Sequence, residues 1–306
     1  MDIICLGDAL IDFKETDTLT FKGFVGGSPL NVAVAAARLG EAAGFASQIS
    51  SDQCGQAIRN HLRENNVDTE FLLESDAPST LAFVGEVEGE AVFDFIANNS
   101  ADVLYDPQPR QDFGDVKMVQ FGSISLLQEP AATTLTETAA KHRGRATVVF
   151  DPNVRPALIA DREAFEARLR RDWLPISHLV KVSSQDLRWL YPDIGHEEVA
   201  RGWLESGPHA VIVTDGGEGV ALYRAGRDTL RVPSFEVEVV DTVGAGDTFT
   251  GALMVSLLKR DLQALDDEAW REVLRAAAAA AAFNCTRAGA DPPTREELEA
   301  FLLEHS

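Results

Sequence analysis

The sequence predicts an α/β fold: a central, mainly parallel sheet between two layers of helices, with a small β-sheet lid beside it. Two observations predict this. Short apolar runs alternate with amphipathic helical stretches over most of the 306 residues, the pattern of a parallel sheet covered on both faces. A hairpin pattern at residues 81–96 breaks that alternation and, with residues near 12–25, predicts the lid strands. Such an appendage commonly covers a site at the carboxyl ends of the main strands. With no internal repeat and no long linker, residues 1–306 are expected to form one domain.

Ile3–Leu6 is an apolar run ending at Gly7, a strand. Leu30–Leu39 is an Ala-rich helix closed by Gly40, a favoured residue just past a helix end. Gly44–Ile49 reads as a strand, and Gly55–Asn65 as a helix with Ile58 and Leu62 on one face. Leu81–Val87 and Ala91–Ile96 alternate in polarity around the turn residues Glu88-Gly89-Glu90. Strands are expected at Val116–Phe121, Thr147–Phe150, Leu179–Val182 and Ala210–Thr214. Helices are expected at Ala131–His142, Asp247–Lys259, Ala269–Phe283 and Glu296–Leu303.

Composition narrows the function classes. The net charge of −22 opposes nucleic-acid binding through a basic surface. Lysine occurs at only six positions (14, 22, 117, 141, 181 and 259), so arginine carries most of the positive charge. A salt-adapted host and an Arg-rich, high-GC genome would each produce that balance. No apolar run is long enough to span a bilayer, and MDIICLGDALIDF lacks the features of a secretory signal. Cys5, Cys54 and Cys285 are far apart and form no CxxC pair, against a disulfide framework or zinc site. A cytoplasmic protein without membrane or nucleic-acid partners is expected.

The strongest chemical signal is Asp241-Thr242-Val243-Gly244-Ala245-Gly246-Asp247-Thr248-Phe249, a two-glycine turn running into a helix. A helix start offers unpaired N–H groups and partial positive charge, a place for phosphate. Asp247 could simply cap that helix. The amides of Ala245, Gly246 and Asp247 could also cradle negative charge while the Asp247 carboxylate accepts a proton. The stretch lacks the third glycine of a dinucleotide fingerprint, and no P-loop occurs anywhere. A second glycine pair, Gly26-Gly27, precedes a helix whose first turn holds Asn31.

Together, GGSPLNVAVAAARLG (26–40) and DTVGAGDTFTG (241–251) resemble the two signatures of the PfkB, or ribokinase-like, carbohydrate kinases, in that family's order. The resemblance covers nearly the whole chain. It implies a ribokinase-like three-layer α/β/α fold with a β-sheet lid, and transfer of the γ-phosphoryl group of ATP to a primary alcohol with Mg²⁺. By the same resemblance Asp247 is the catalytic base, and Gly244, Ala245 and Gly246 form the anion hole. Asp12, Gly27 and Asn31 are then sugar contacts, while Thr214, Gly216 and Gly219 belong to the nucleotide loop. Asp241, Val243, Asn284, Arg287 and Gly289 match positions that hold a monovalent cation such as K⁺. The chain departs from the family at Ser183-Ser184-Gln185-Asp186, where the pattern is N-x-x-E. Ser183 is there a nucleotide contact and Asp186 a water-mediated Mg²⁺ contact.

Within the family, Ser28-Pro29, Phe93-Asp94-Phe95, Ser100-Ala101-Asp102 and Phe121–Ser125 resemble fructokinases. Asp151–Arg155 is shared with 2-keto-3-deoxygluconate kinases, and Arg155 could hold an acid sugar's carboxylate. Ile96-Ala97-Asn98-Asn99 offers no second arginine near the lid, which favours a neutral ketohexose. Fructose is the expected substrate, with the keto-deoxy acid or another sugar as the alternative. A nucleoside kinase and a non-catalytic sugar-binding regulator are the readings from other classes. A homodimer through the lid is expected from the resemblance.

Overall fold

A computed structural model describes residues 1–87 and 90–305. The strands are β1 (Ile3–Leu6), β2 (Leu10–Asp17), β3 (Thr20–Gly26), β4 (Ala43–Ser50), β5 (Leu72–Ser75), β6 (Thr80–Val87), β7 (Glu90–Ile96), β8 (Met118–Gly122), β9 (Thr147–Asp151), β10 (Leu179–Ser183), β11 (Ala210–Thr214), β12 (Val220–Arg224) and β13 (Leu230–Val232). The helices are α1 (Ser28–Arg38), α2 (Gln53–Glu64), α3 (Ala131–His142), α4 (Arg162–Arg168), α5 (Ser184–Leu190), α6 (His196–Leu204), α7 (Ala245–Leu257), α8 (Asp267–Cys285) and α9 (Arg295–Glu304).

Among the described residues the main sheet runs β13-β12-β11-β10-β9-β8-β1-β4-β5. It is parallel except for β12 and β13, which pair antiparallel at one edge. The chain builds from β1 toward β5 on one side, then from β8 outward on the other. The carboxyl ends of the strands at such a reversal, here beside β1, are where sheets of this kind bind ligands.

Strand alternation splits the core in two. Ile3 and Cys5 face a cluster with residues of α1, α7 and α8, while Ile4 and Leu6 face a cluster with α3 and α6. Trp173 and Trp203 fill the second cluster and Trp270 the first, all fully buried. Each buried large apolar side chain contributes about 1.5–3 kcal/mol. Helix ends follow local chemistry. The Asp52 side chain accepts from the Gly55 amide at 2.8 Å to start α2, and Thr294 and Glu297 form a reciprocal capping box on α9.

The small sheet runs β3-β2-β6-β7, with β2 parallel to β6 and the other pairs antiparallel. Both expected lid segments therefore join one sheet. Of the expected turn, Glu88 and Gly89 lie outside the described residues. One boundary differs in a way that matters: α7 begins at Ala245, two residues before the expected Asp247. Gly244 is the N-cap, so Asp247 sits inside the first turn and makes no capping bond.

Candidate active site

The starts of α1 and α7 meet at the carboxyl edge of the main sheet. Gly244 enters α7 with φ 75°, a left-handed conformation that glycine adopts without strain. A Cβ there would also stand 2.5 Å from the Ala290 Cβ. Gly27 precedes α1 with φ 115°, and a Cβ on it would run into the Asp8 carbonyl. These turns aim the first residues of both helices at one point.

Asp247 occupies that point. It is 8% exposed. Ser28 Oγ donates to its Oδ1 at 2.6 Å and Asn31 Nδ2 to its Oδ2 at 2.8 Å. Asn153 Nδ2, from the loop after β9, approaches Oδ1 at 3.5 Å. Burial pushes the Asp247 carboxyl above its ordinary pKa, while Ser28, Asn31 and Lys181 pull it down and Asp151 pushes it up. A raised pKa makes a stronger base, which suits proton abstraction near neutral pH. The i→i−4 ladder of α7 begins where the Thr248 amide donates to Gly244 at 2.8 Å, so the amides before it lie in the helix's first turn. The Ala245 amide already donates to the Thr242 carbonyl at 3.3 Å. Of the three amides expected to form a cradle, that of Ala245 is thus already engaged.

Asp12 lies in the middle of β2, in register with Phe24 of β3 and Ala82 of β6. Burial raises its pKa to about 6; Arg155 opposes the shift, and Asp8 and Asp247 add to it. The Asp12 carboxylate thus lies within electrostatic reach of Arg155 and of Asp247 at the start of α7. The Arg155 guanidinium also donates to the Asn153 side-chain oxygen. Asp8, just past β1, accepts from Ser125 at 3.2 Å and is raised to about 6 by burial and by Asp102.

Thr214 ends β11, followed by a single 3₁₀ turn, Gly216–Glu218, and Gly219 with φ 97°. Ser183 and Asp186 start α5 as a capping box, each side chain bonded to the other's backbone amide. That gives both residues a structural task the sequence reading did not assign. Asp186 is nonetheless half-buried near Asp151, and its carboxyl is raised to about 6, first by desolvation and then by that neighbour. Among the described residues no three His, Cys, Asp or Glu side chains gather into a ready-made metal site. A single carboxylate with phosphates and water is a donor set that Mg²⁺ favours, so Asp186 fits that ion.

The residues matched to a monovalent-cation site are largely committed to one another. Asp241 accepts from the amides of Val243 at 3.0 Å and Gly289 at 3.1 Å, and pairs with Lys14 of β2 at 3.4 Å. The Asn284 amide donates to the Val243 carbonyl at 2.8 Å. The Arg287 side chain turns to Asp291 and Glu297. Direct bonds thus staple the two loops.

Sequence reasoning missed Ser28, Asn153, Asp151 and Lys181. Ser28, Asp151 and Asn153 lie inside motifs it singled out, but only their distances to Asp247 and Lys181 reveal the contacts. Lys181 Nζ sits 3.0 Å from Asp151 Oδ2, a buried ion pair between adjacent strands.

The family described as pfkB family carbohydrate kinase matches residues 1–297. A fructokinase of Rhizobium leguminosarum bv. trifolii is 36% identical over 280 residues, covering 88% of this chain and 85% of its own. A fructokinase crystal structure from Xylella fastidiosa with bound ATP superposes with a TM-score of 0.92 at 31% identity, covering 99% of this chain and 98% of that one. An aminoimidazole riboside kinase from Salmonella enterica, complexed with aminoimidazole riboside and an ATP analogue, gives a TM-score of 0.88 at 28% identity, covering 99% and 100%.

Proposed function

The chain belongs to the pfkB family of carbohydrate kinases, and from that premise we propose that it transfers the γ-phosphoryl group of ATP to the primary hydroxyl of fructose. The observation that carries the reading is the buried Asp247 carboxylate, held by Ser28 and Asn31 in the first turn of α7. Fructose is supported by the curated relatives at 33–36% identity, which are fructokinases.

In this reading Asp12 and Asn31 hold sugar hydroxyls beneath the lid, with the Gly27 backbone against the ring. Arg155 offsets the negative charge of Asp12. Asp247 takes the proton from the attacking hydroxyl as the sugar oxygen closes on phosphorus. The first-turn amides around Gly246 receive the charge that develops on the transferring group, so positioning and electrostatics supply most of the rate. Thr214 and the Gly216–Gly219 loop line the nucleotide's path. Bound with the nucleotide near Asp186, Mg²⁺ would supply charge neutralisation on the phosphates. A K⁺ ion would rest on backbone oxygens of the 241–243 and 284–289 loops, and activity titrated with KCl tests it.

A coupled ADP-release assay over fructose, 2-keto-3-deoxygluconate, adenosine and aminoimidazole riboside tests the proposal. Preference for fructose is expected. Preference for the keto-deoxy acid would move Arg155 to the sugar carboxylate. Preference for a riboside, the reading favoured by the Salmonella likeness, would overturn the sugar assignment. Absence of turnover on all four would favour a binding regulator.

Two further proposals accompany this reading. Stacked Phe13 and Phe83, with Phe21 edge-on, form a half-buried aromatic cluster in the lid, which supports a homodimer through that sheet; light scattering decides it. A cytoplasmic setting is supported by three free cysteines. Among the described residues no helix is long and apolar enough to cross a membrane.

A further inference from the structure

Lys181 stands where strand parity calls for an apolar side chain. In β10, Val180 and Val182 join the core on the α3–α6 side and Leu179 the opposite one. Alternation therefore turns Lys181 toward α7, and its side chain is 6% exposed. A buried ammonium is expensive to desolvate and persists only with partners. Asp151 supplies one at 3.0 Å. That carboxylate is itself braced by the Asn153 amide at 3.1 Å and faces Thr250 Oγ1 at 3.5 Å. Burial disfavours the charge on Lys181, yet Asp151, with Asp247 and Asp186 nearby, holds its pKa above the ordinary value.

An ion pair wanted only for stability has no need to be here, since apolar residues of equal volume serve as well. Its position is more telling. Lys181 Nζ lies 2.9 Å from the point where a Cβ on Gly246 would stand. Any side chain at 246 would displace the ammonium. Glycine at that position thus lets a full positive charge rest against the first turn of α7, beside the amides of Gly246 and Asp247. Among the described residues Asp151 is its one hydrogen-bond partner, while an ammonium carries three donors.

We propose that Lys181 is a catalytic residue that donates to a non-bridging oxygen of the transferring phosphoryl group, and that Asp151 positions it. The role rests on the kinase reading above. As the sugar oxygen bonds to phosphorus, the bond from phosphorus to the bridging oxygen of the nucleotide breaks and its electron pair leaves with ADP. The hydroxyl proton goes to Asp247. Lys181 keeps its protons and contributes fixed charge, which complements the partial charge of the helix start.

The test is the double variant Lys181→Met with Asp151→Asn, which leaves no unpaired charge buried. Its fold is checked by circular dichroism and thermal melting. We expect kcat to fall about 100-fold or more, with KM for fructose and ATP within about threefold of wild type. Binding of ADP with aluminium fluoride, magnesium and fructose, a mimic of the transferring group, is expected to weaken about 30-fold or more, while ADP alone binds within about threefold. A merely structural pair would not separate those two affinities. A folded double variant with kcat within about threefold of wild type, or with equal losses in both affinities, overturns the assignment. Should the double variant fail to fold, Lys181→Gln is read by the same criteria. A wild-type chain that phosphorylates no sugar sinks the kinase reading and this role with it; an active wild type with an active variant sinks the role of Lys181 alone.

Discussion

Replacing Asp247 by Asn removes the proposed base and little else. The side chain keeps its shape and one oxygen acceptor, so Ser28 or Asn31 retains a partner. Losing a positioned general base slows the chemical step by roughly 10²–10⁴. At about 1.36 kcal/mol per tenfold, this is roughly 2.7–5.5 kcal/mol of transition-state stabilisation. Stability should respond in the opposite sense. Burial raises the folded-state pKa of this carboxyl above its ordinary value of 3.8. The folded state therefore holds the proton more tightly than the unfolded chain, and stability falls as pH rises through the window between the two pKa values. Above that window the charged form is a full liability, which Asn does not carry. The variant should thus melt no lower than wild type at pH 8, and any advantage should vanish toward pH 4, where both chains are neutral at this position. Steady-state kinetics with coupled ADP detection, titration calorimetry with ATP, and melting curves at both pH values read the outcome. An unchanged ATP affinity with kcat lowered at least about 100-fold supports the reasoning. Turnover within about threefold of wild type would refute it.

Asp12→Ala should raise the KM for fructose roughly 10- to 100-fold and leave the KM for ATP in place, since a charge-assisted hydrogen bond contributes about 1.5–3 kcal/mol; initial-rate kinetics with each substrate varied check this. The Asp12 carboxyl, raised to about 6 by burial, should protonate as pH drops. kcat/KM for fructose should therefore fall on the acid side with a midpoint near 6, and a flat profile down to pH 5 would remove this carboxylate from the site. Gly244→Ala must hold φ 75° with a Cβ placed 2.5 Å from that of Ala290; a loss of about 1–2 kcal/mol or more in urea unfolding is expected, with kcat reduced as the turn shifts. Trp203→Ala, at a fully buried position of α6 in the core cluster on the sheet face opposite α1 and α7, should cost roughly 3–5 kcal/mol and leave the KM values of the remaining folded enzyme unchanged.

The main sheet was legible because a strand buried on both faces is a short apolar run, as at Ile3–Leu6 and Ala210–Thr214, and the helices between them carry one apolar stripe. Strands β5, β12 and β13 at the two ends of the main sheet and short helices α4, α5 and α6 escaped the reading. Their segments are brief and mixed in polarity, and tertiary packing rather than local pattern decides them. Lys181 also interrupts the apolar run of β10. The reason lies on other strands and helices, in Asp151 and Gly246, which no window around residue 181 contains.

By itself the sequence determined the layers of the fold, the glycine turn before α7, and Asp247 as the residue to watch, because each follows from local periodicity or from a contiguous motif. Only the tertiary structure decided how that carboxylate is held. Ser28 and Asn31 lie more than 200 positions away along the chain, and they reach Asp247 because two helix starts converge at the reversal point of the sheet. The structure also turned Ser183 and Asp186 into a cap and tied Arg287 to its own acids. Hydrogen bonding and charge act through space over a few ångströms, and separation along the chain does not encode those distances.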